Sequence, residues 1–181
     1  RALADTGIKD LHIIANDAGN DKADGIGTFI VEGRASSLVA SHVGLNPKVA
    51  EQMNAGTLAV TLVPQGTLAE RIRCGGCGLG GVLTPTGVGT IVAEGKQEIV
   101  VDGKTYLLET PLRAEVAIVK AWKADTSGNL VYRRAGKNFN PMMAMAADFV
   151  IAEVEEIVEV GQIDPDQVCT PGACVDMVVQ L

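Results

Sequence analysis

Apolar residues along this chain come in short blocks that end on small or polar residues. Leu11-His12-Ile13-Ile14-Ala15 runs into Asn16-Asp17-Ala18-Gly19, which predicts a strand followed by a loop. Ser37 to Gly44 repeats the pattern, with Leu38, Val39 and Ala40 leading into Ser41-His42-Val43-Gly44. Asn46-Pro47 then supplies an N-cap and a first-turn proline for a helix that ends near Asn54-Ala55-Gly56. Leu58 to Val63 is a third strand, and it stops at Pro64-Gln65-Gly66. A short amphipathic helix is expected next. After it comes a predicted loop with seven glycines among the fifteen residues from Gly75 to Gly89.

The pattern changes over Gln97 to Thr110. Two β-rich halves flank Asp102-Gly103, a strong hairpin signal, and predict a small antiparallel excursion. Val116 to Trp122 is a strand again, Asp125 to Asn129 a turn, and Leu130-Val131-Tyr132 the strand after it. A helix is predicted over Pro141 to Ala147 and a strand over Phe149 to Val154, and the tail with Pro165, Pro171 and Gly172 reads as irregular. This order predicts an α/β fold: an open, mostly parallel sheet with helices on both faces and an inserted β hairpin. Residues 1–181 read as a single domain. Arg1 to Gly7 look like the last turns of a helix ending at a glycine cap, so a strand and the start of that helix are expected to precede Arg1.

Composition sharpens this picture. The chain is 47% hydrophobic but only 3% aromatic, so its core must be built from Val, Ile, Leu, Ala and Met, which favours a buried sheet. A net charge of −7 with no basic run argues against nucleic acid, whose binding rests on Lys and Arg neutralising phosphates. No apolar run approaches the ~20 residues that span a bilayer, and no signal peptide opens the chain. No membrane role is expected, and the expected location is the cytoplasm. Cys74, Cys77, Cys169 and Cys174 read as free thiols of a reducing compartment. The competing reading is a zinc or redox site joining both pairs, although no histidine lies near either. No metal is expected.

In open α/β sheets, ligands sit where strand ends meet helix starts. Residues 61–90 therefore read as one wall of a site for a small acidic substrate. Asn16 ends a strand, and its amide can donate to a carboxylate or carbonyl. Its competing role is to cap a turn. Gln65 and the backbone N–H of Gly66 share a tight turn and can point at one spot, whereas Gln65 could equally be a plain helix-entry residue. Gly75, Gly76, Gly78, Gly80 and Gly81 read either as a surface loop or as a close-packed wall of a pocket or subunit interface. They lack a dinucleotide-binding setting. His12 reads as a satisfied strand histidine, and His42 lies near enough to a strand end to face the site. Glu70, Arg71 and Arg73 read as an ion-pair face rather than catalytic groups. Met142, Met143 and Met145 read as packing residues. Lys120 and Lys123 flank Trp122 and could meet a phosphate.

Four stretches carry a family resemblance. They are Val63-Pro64-Gln65-Gly66-Thr67-Leu68-Ala69-Glu70-Arg71-Ile72-Arg73-x-Gly75-Gly76-x-Gly78, Thr84-Pro85-Thr86-Gly87-x-Gly89-Thr90, Ala121-Trp122-Lys123-Ala124-Asp125-x-x-Gly128-Asn129 and Asn138-Phe139-Asn140. In order and spacing they resemble family I CoA-transferases, specifically the α subunit of the acetate/acetoacetate type or the first half of the succinyl-CoA:3-oxoacid type. Two departures stand out. The family's Gly-Gly-Phe-x-x-x-Gly-x-Pro loop is absent, consistent with an expected missing N-terminal segment of some tens of residues. The Ser-Glu-Asn-Gly motif that carries the family's catalytic glutamate is absent too.

The resemblance implies a two-stage acyl transfer in which a partner's carboxylate attacks an acyl-CoA thioester. An anhydride forms, then a glutamyl-CoA thioester, and a second acid reverses the steps. It implies no catalytic residue in this chain, no permanently bound cofactor, and CoA or acyl-CoA as substrate. It also implies a homologous β subunit in an α₂β₂ assembly, with short carboxylic acids as co-substrates in short-chain fatty acid, ketone-body or acetoacetate metabolism. Asn16, the position of Asp17 and Gln65 match its substrate-binding positions, and Gly66 joins them as a substrate-binding residue through its shared turn with Gln65. Asp17 is an acidic departure where some members have Asn, and a carboxylate there repels another unless it is protonated or turned away. Two alternatives from other classes stay open: a non-catalytic stabilising subunit, and a sugar-phosphate isomerase-like enzyme on a related fold, which would need an in-chain acid/base pair.

Overall fold

A computed structural model describes residues 2–22 and 24–181. Of the helix end expected over Arg1 to Gly7, Arg1 lies outside the described residues. The chain divides into two compact units, Arg1–Leu68 and Ala69–Leu181.

The first unit contains α1 (Ala2–Asp5), β1 (Leu11–Ile14), α2 (Gly27–Val31), β2 (Ala35–Ala40), α3 (Pro47–Asn54) and β3 (Ala59–Leu62). Its sheet is wholly parallel, in the order β1-β2-β3. Leu38 and Ala40 of β2 point inward and meet Ala18, Ile30, Val49 and Leu58, which together form this unit's core. Helix α3 starts as its sequence requires, with Asn46 Oδ1 accepting the Lys48 N–H at 3.2 Å and Pro47 in the first turn. Buried Arg34 anchors the first segment, donating to the carbonyls of Leu3, Ala4 and Ile8 at 3.3, 2.6 and 2.7 Å. Two of these carbonyls belong to α1, and Leu3 O also accepts the Thr6 hydroxyl at 2.7 Å.

Helix α4 (Gln65–Cys77) runs from the first unit into the second. The second unit continues with β4 (Val82–Thr84), β5 (Glu98–Val101), β6 (Lys104–Glu109), β7 (Ala114–Asp125), β8 (Leu130–Val131), α5 (Asn140–Met145), β9 (Ala147–Val158) and β10 (Met177–Gln180). Strands β7, β9 and β10 pair in parallel, with β8 antiparallel at the edge. On the inward face, Ala117 lies opposite Val150, Val119 opposite Ala152, and Ala121 opposite Val154. Each pair matches a small residue with a larger one, so an aromatic-poor sequence still fills a flat core. The fold is thus α/β and largely parallel, with the parallel strands divided between the two units' sheets. The predicted hairpin is present: β5 and β6 flank Asp102 (φ 49°) and Gly103 (φ 75°), the paired positive φ of a tight hairpin turn.

Three local expectations need correction. Gly75 and Gly76 are helical, so the glycine-rich loop begins later than the sequence predicts. A Cβ on Gly75 would lie 2.0 Å from the Leu112 carbonyl oxygen, and one on Gly76 2.7 Å from Met145 Cβ. These glycines let α4 press against its own chain, and that packing rather than a ligand accounts for them. Val82–Thr84, which falls within the predicted loop, is a strand paired with Leu107–Glu109 of β6. The tail is not wholly irregular either, because β10 pairs with Ile151–Val154 of β9.

Candidate functional site

Because β1, β2 and β3 are parallel and in register, Ile14 pairs with Val39 and Val39 with Thr61, and their C-terminal ends lie side by side. The ladder continues past the strands. Ala15 N–H donates to Val39 O at 3.0 Å, Ser41 N–H to Asn16 O at 3.1 Å, and Val63 N–H to Ala40 O at 2.9 Å. Three loops thus leave one edge, carrying Asn16 after β1, Ser41 after β2 and Gln65 after β3.

The side chains meet. Gln65 Nε2 donates to Asn16 Oδ1 at 3.1 Å. The Ser41 hydroxyl lies within hydrogen-bond reach of Asn16 O, at 2.8 Å, and of the Gln65 amide, with one proton to share between them. Asn16 and Ser41 are half-buried and Gln65 is exposed, so the cluster opens to solvent at its Gln65 end. The loop after β1 is held from below by buried Asn46, whose Nδ2 donates to Ala18 O at 3.0 Å.

Asp17 is half-buried, and its Oδ1 accepts the Gly19 N–H at 2.7 Å. This is an Asx turn. The turn-capping role that the sequence left open for Asn16 therefore falls to its neighbour, and one carboxylate oxygen of Asp17 is committed locally. Gln65 is the first residue of α4 and Gly66 the second, with Leu68 N–H reaching Pro64 O at 2.9 Å. The N–H groups of Gln65, Gly66 and Thr67 have no acceptor within the helix. They add the positive end of a 13-residue helix to the amide cluster. A Cβ on Gly66 would meet nothing within 4 Å, so open space surrounds that backbone position.

Most other sequence candidates fall elsewhere. His12 is exposed on edge strand β1, and its Nδ1 lies 2.7 Å from Ser37 Oγ. His42 is also exposed, and its backbone bridges Asp17. Glu70 and Arg73 form an ion pair at 2.7 Å one helical turn apart, and the carboxylate raises the guanidinium's pKa further. Arg71 instead donates to Thr110 O at 2.7 Å and lies 3.8 Å from buried Glu109, which also takes Lys96 at 2.5 Å. Buried Glu109 between two cations is a structural anchor that sequence reasoning missed. The four cysteines are free thiols, Cys74 buried and Cys77 exposed. Among the described residues no cluster of His, Cys, Asp or Glu could hold a metal ion. No helix among them is long and apolar enough to cross a membrane.

The second unit carries an open cleft of about 300 Å³ lined by Lys120, Trp122, Arg133, Arg134, Asn140 and Glu155, among others. It is a weaker candidate for the chemistry. Arg133 is paired with Glu155, and the Asn140 amide is used at both ends, accepting the Lys120 N–H and donating to Gly136 O, each at 3.0 Å. Lys123 stacks on Trp122 at 4.8 Å and pairs with Glu156 at 2.7 Å. At the strand ends, by contrast, several N–H groups have no partner inside their own cluster. Ser41 is the site residue that sequence reasoning passed over. The signal was present, since Asn16, Ser41 and Gln65 are each the first polar residue after three successive strands.

The chain matches the coenzyme A transferase family over residues 1–181. It is 53% identical over 178 residues to the alpha subunit of the acetate CoA-transferase of Escherichia coli, covering 98% of this chain and 80% of that protein. It is 51% identical to one subunit of a probable succinyl-CoA:3-ketoacid coenzyme A transferase of Bacillus subtilis, covering 98% and 74%. An acyl-CoA transferase from Escherichia coli O157:H7, solved as a thioester complex with CoA, superposes with a TM-score of 0.86 at 22% identity. That match covers 99% of this chain and 40% of the larger one and speaks to fold alone. With the whole length matched and more than half of its residues shared with one such relative, this chain belongs to the coenzyme A transferase family.

Proposed function

We propose that this chain is the α subunit of a two-subunit CoA-transferase that moves CoA from a short-chain acyl-CoA to a carboxylic acid. The glutamate that becomes a glutamyl-CoA thioester belongs to a homologous β subunit, and the assembly is α₂β₂ in the cytoplasm. CoA enters and leaves as a substrate. Asn16, Asp17, Gln65 and Gly66 line the acyl side of the cavity.

The observation that carries this reading is the convergence of the Asn16 and Gln65 amides at one sheet edge beside the start of α4. Neutral amides stabilise developing negative charge without competing as nucleophiles, which suits a reaction whose attacking group is itself a carboxylate. When the partner's carboxylate adds to the thioester carbonyl, the oxygen gains charge, and the amide N–H groups and the Gly66 N–H are placed to receive it. The thiolate leaves and then attacks the resulting anhydride at the glutamyl carbonyl, releasing the first acid. The incoming acid retraces both steps. Asp17 borders the pocket with one oxygen held by Gly19, so its charge is partly answered by a backbone donor. A stabilising role alone and a sugar-phosphate isomerase activity are not favoured by relatives that carry CoA-transferase names.

Gln65→Ala is expected to lower turnover by about 100-fold, the loss typical of one oxyanion donor, while assembly with the partner is unchanged. Steady-state kinetics of the assembled variant, with size-exclusion chromatography, test it. Kinetics equal to wild type would remove Gln65 from the site.

A further inference from the structure

We infer that Asp17 is a specificity-determining residue, whose charge turns away acids with a second carboxylate and leaves the site to short monocarboxylic acids. The inference rests on the strand-end site proposed above and narrows the class of acid it takes. In that site one carboxylate is held by the Asn16 and Gln65 amides beside the first N–H groups of α4. These donors are neutral, and they answer one negative charge.

Asp17 directly follows Asn16, so the two Cα atoms are about 3.8 Å apart. Its carboxylate is held in place. Oδ1 accepts the Gly19 N–H at 2.7 Å, and among the described residues Oδ2 makes no hydrogen bond. Gly19 has a positive φ of 65°, and a Cβ on it would come within 2.7 Å of the Gly27 nitrogen. Between the two, Ala18 is fully buried, and its carbonyl takes the Asn46 amide at 3.0 Å. The loop is thus anchored right after the charge. Among the described residues no cation is paired with it. In the first unit Arg34 pairs with Glu32 and Lys48 with Glu51. Lys9 precedes β1, at the opposite end of that strand from Asp17. Lys22 is exposed beside Asp21 and Asp24, so the segment from Asp17 to Asp24 carries three carboxylates against one ammonium. His42 meets Asp17 through the backbone, and no ion pair joins their side chains.

The two carboxylates of a four-carbon diacid lie closer together than the Debye length of about 8 Å. With one end on the amides, the other end therefore stays in the field of Asp17 and meets no paired cation. A methyl group or a neutral carbonyl at that end brings no such repulsion. Enclosing an unpaired charge is far more costly than enclosing an apolar group.

The test uses the two-subunit enzyme carrying Asp17→Asn and Asp17→Ser. Each replacement keeps a side-chain oxygen that can accept the Gly19 N–H, so the turn is retained and the charge is lost. The acceptor acids are succinate and succinamate, which share a shape and differ by one charge, with butyrate as the monocarboxylic reference. The readout is kcat/KM for each acid, or the constant for competitive inhibition against butyrate where an acid is not turned over. Wild type should favour succinamate over succinate. Both variants should cut that preference about tenfold, the factor for unit charges about 8 Å apart in an effective dielectric of about 30. The change should come from tighter use of succinate. The same succinamate/succinate ratio in wild type and both variants would overturn the inference and leave Asp17 as a turn former. Gln65→Ala run alongside keeps the two ideas apart. If it lowers turnover while that ratio stays fixed in the Asp17 variants, only the role of Asp17 fails. If Gln65→Ala is silent, the strand-end site fails and the inference with it.

Discussion

Two acidic residues show how this chain handles a carboxylate when no catalysis is asked of it. Asp17 gives one oxygen to the Gly19 N–H, and Asp125 closes the turn after β7. Asp125 is buried, which by itself raises its pKa. The Asn129 side chain at 2.8 Å and the N–H groups of Asn129, Ser127 and Gly128 outweigh burial and hold it below the ordinary aspartate value. A depressed folded pKa means that the stabilisation is present at neutral pH and is lost as pH falls through that folded value. Asp125→Asn should therefore be less stable by about 1–3 kcal/mol near pH 7. Its gap from wild type should shrink in urea melts taken at successively more acidic pH, on the acid side of the usual carboxylate range. A gap that stays constant across that series would show that the charge is not what matters. At this scale the sequence was legible where a residue's role is local. The Asp125–Asn129 turn and the Asn46 cap could be read directly. The roles of Asn16 and Asp17 could not be told apart, because which neighbour caps the turn depends on where Gln65, 49 residues away, reaches.

Elements were legible when their signal lies within one segment. Asp102-Gly103 sets a hairpin through two positive φ angles, and Asn46-Pro47 sets a helix start. The end of α4 was misread because glycine is read locally as a breaker, at a cost of about 1 kcal/mol each in a helix. Two of them are tolerated there since the close approach of Leu112 and Met145 gains more than the helix loses. That account predicts opposite results at two glycines. Gly75→Ala puts a Cβ against a backbone carbonyl that cannot swing aside, and should destabilise by about 1–3 kcal/mol or more. Gly80→Ala meets nothing within 4 Å and should shift the melting temperature by no more than about 1 °C. Thermal melts of the two variants decide the matter, and equal shifts would contradict the packing explanation. Strands β4 and β10 escaped notice for a related reason. Each is short, and each exists only because a distant strand, β6 or β9, offers an edge.

For the whole molecule, the fold class came through in the sequence because alternating blocks of Val, Ile, Leu and Ala with helical segments leave few architectures open. The family came through because its motifs keep their order along the full length. The candidate site was visible in part. Asn16, Gln65 and Gly66 stand at strand ends, but Ser41 became apparent only when three parallel strands placed their ends side by side. The strand-end edge offers amides, a helix start and a hydroxyl, and the carboxylate it carries, Asp17, has one oxygen taken up by the Gly19 N–H of its own loop. The central claim is therefore that the nucleophile comes from another chain. The most direct measurement is to incubate the two-subunit enzyme with acetyl-CoA, reduce the covalent thioester with borohydride, and locate the modified residue by mass spectrometry. The account predicts a reduced glutamate on the partner, with this chain unmodified. A reduced carboxylate found within these 181 residues would contradict it.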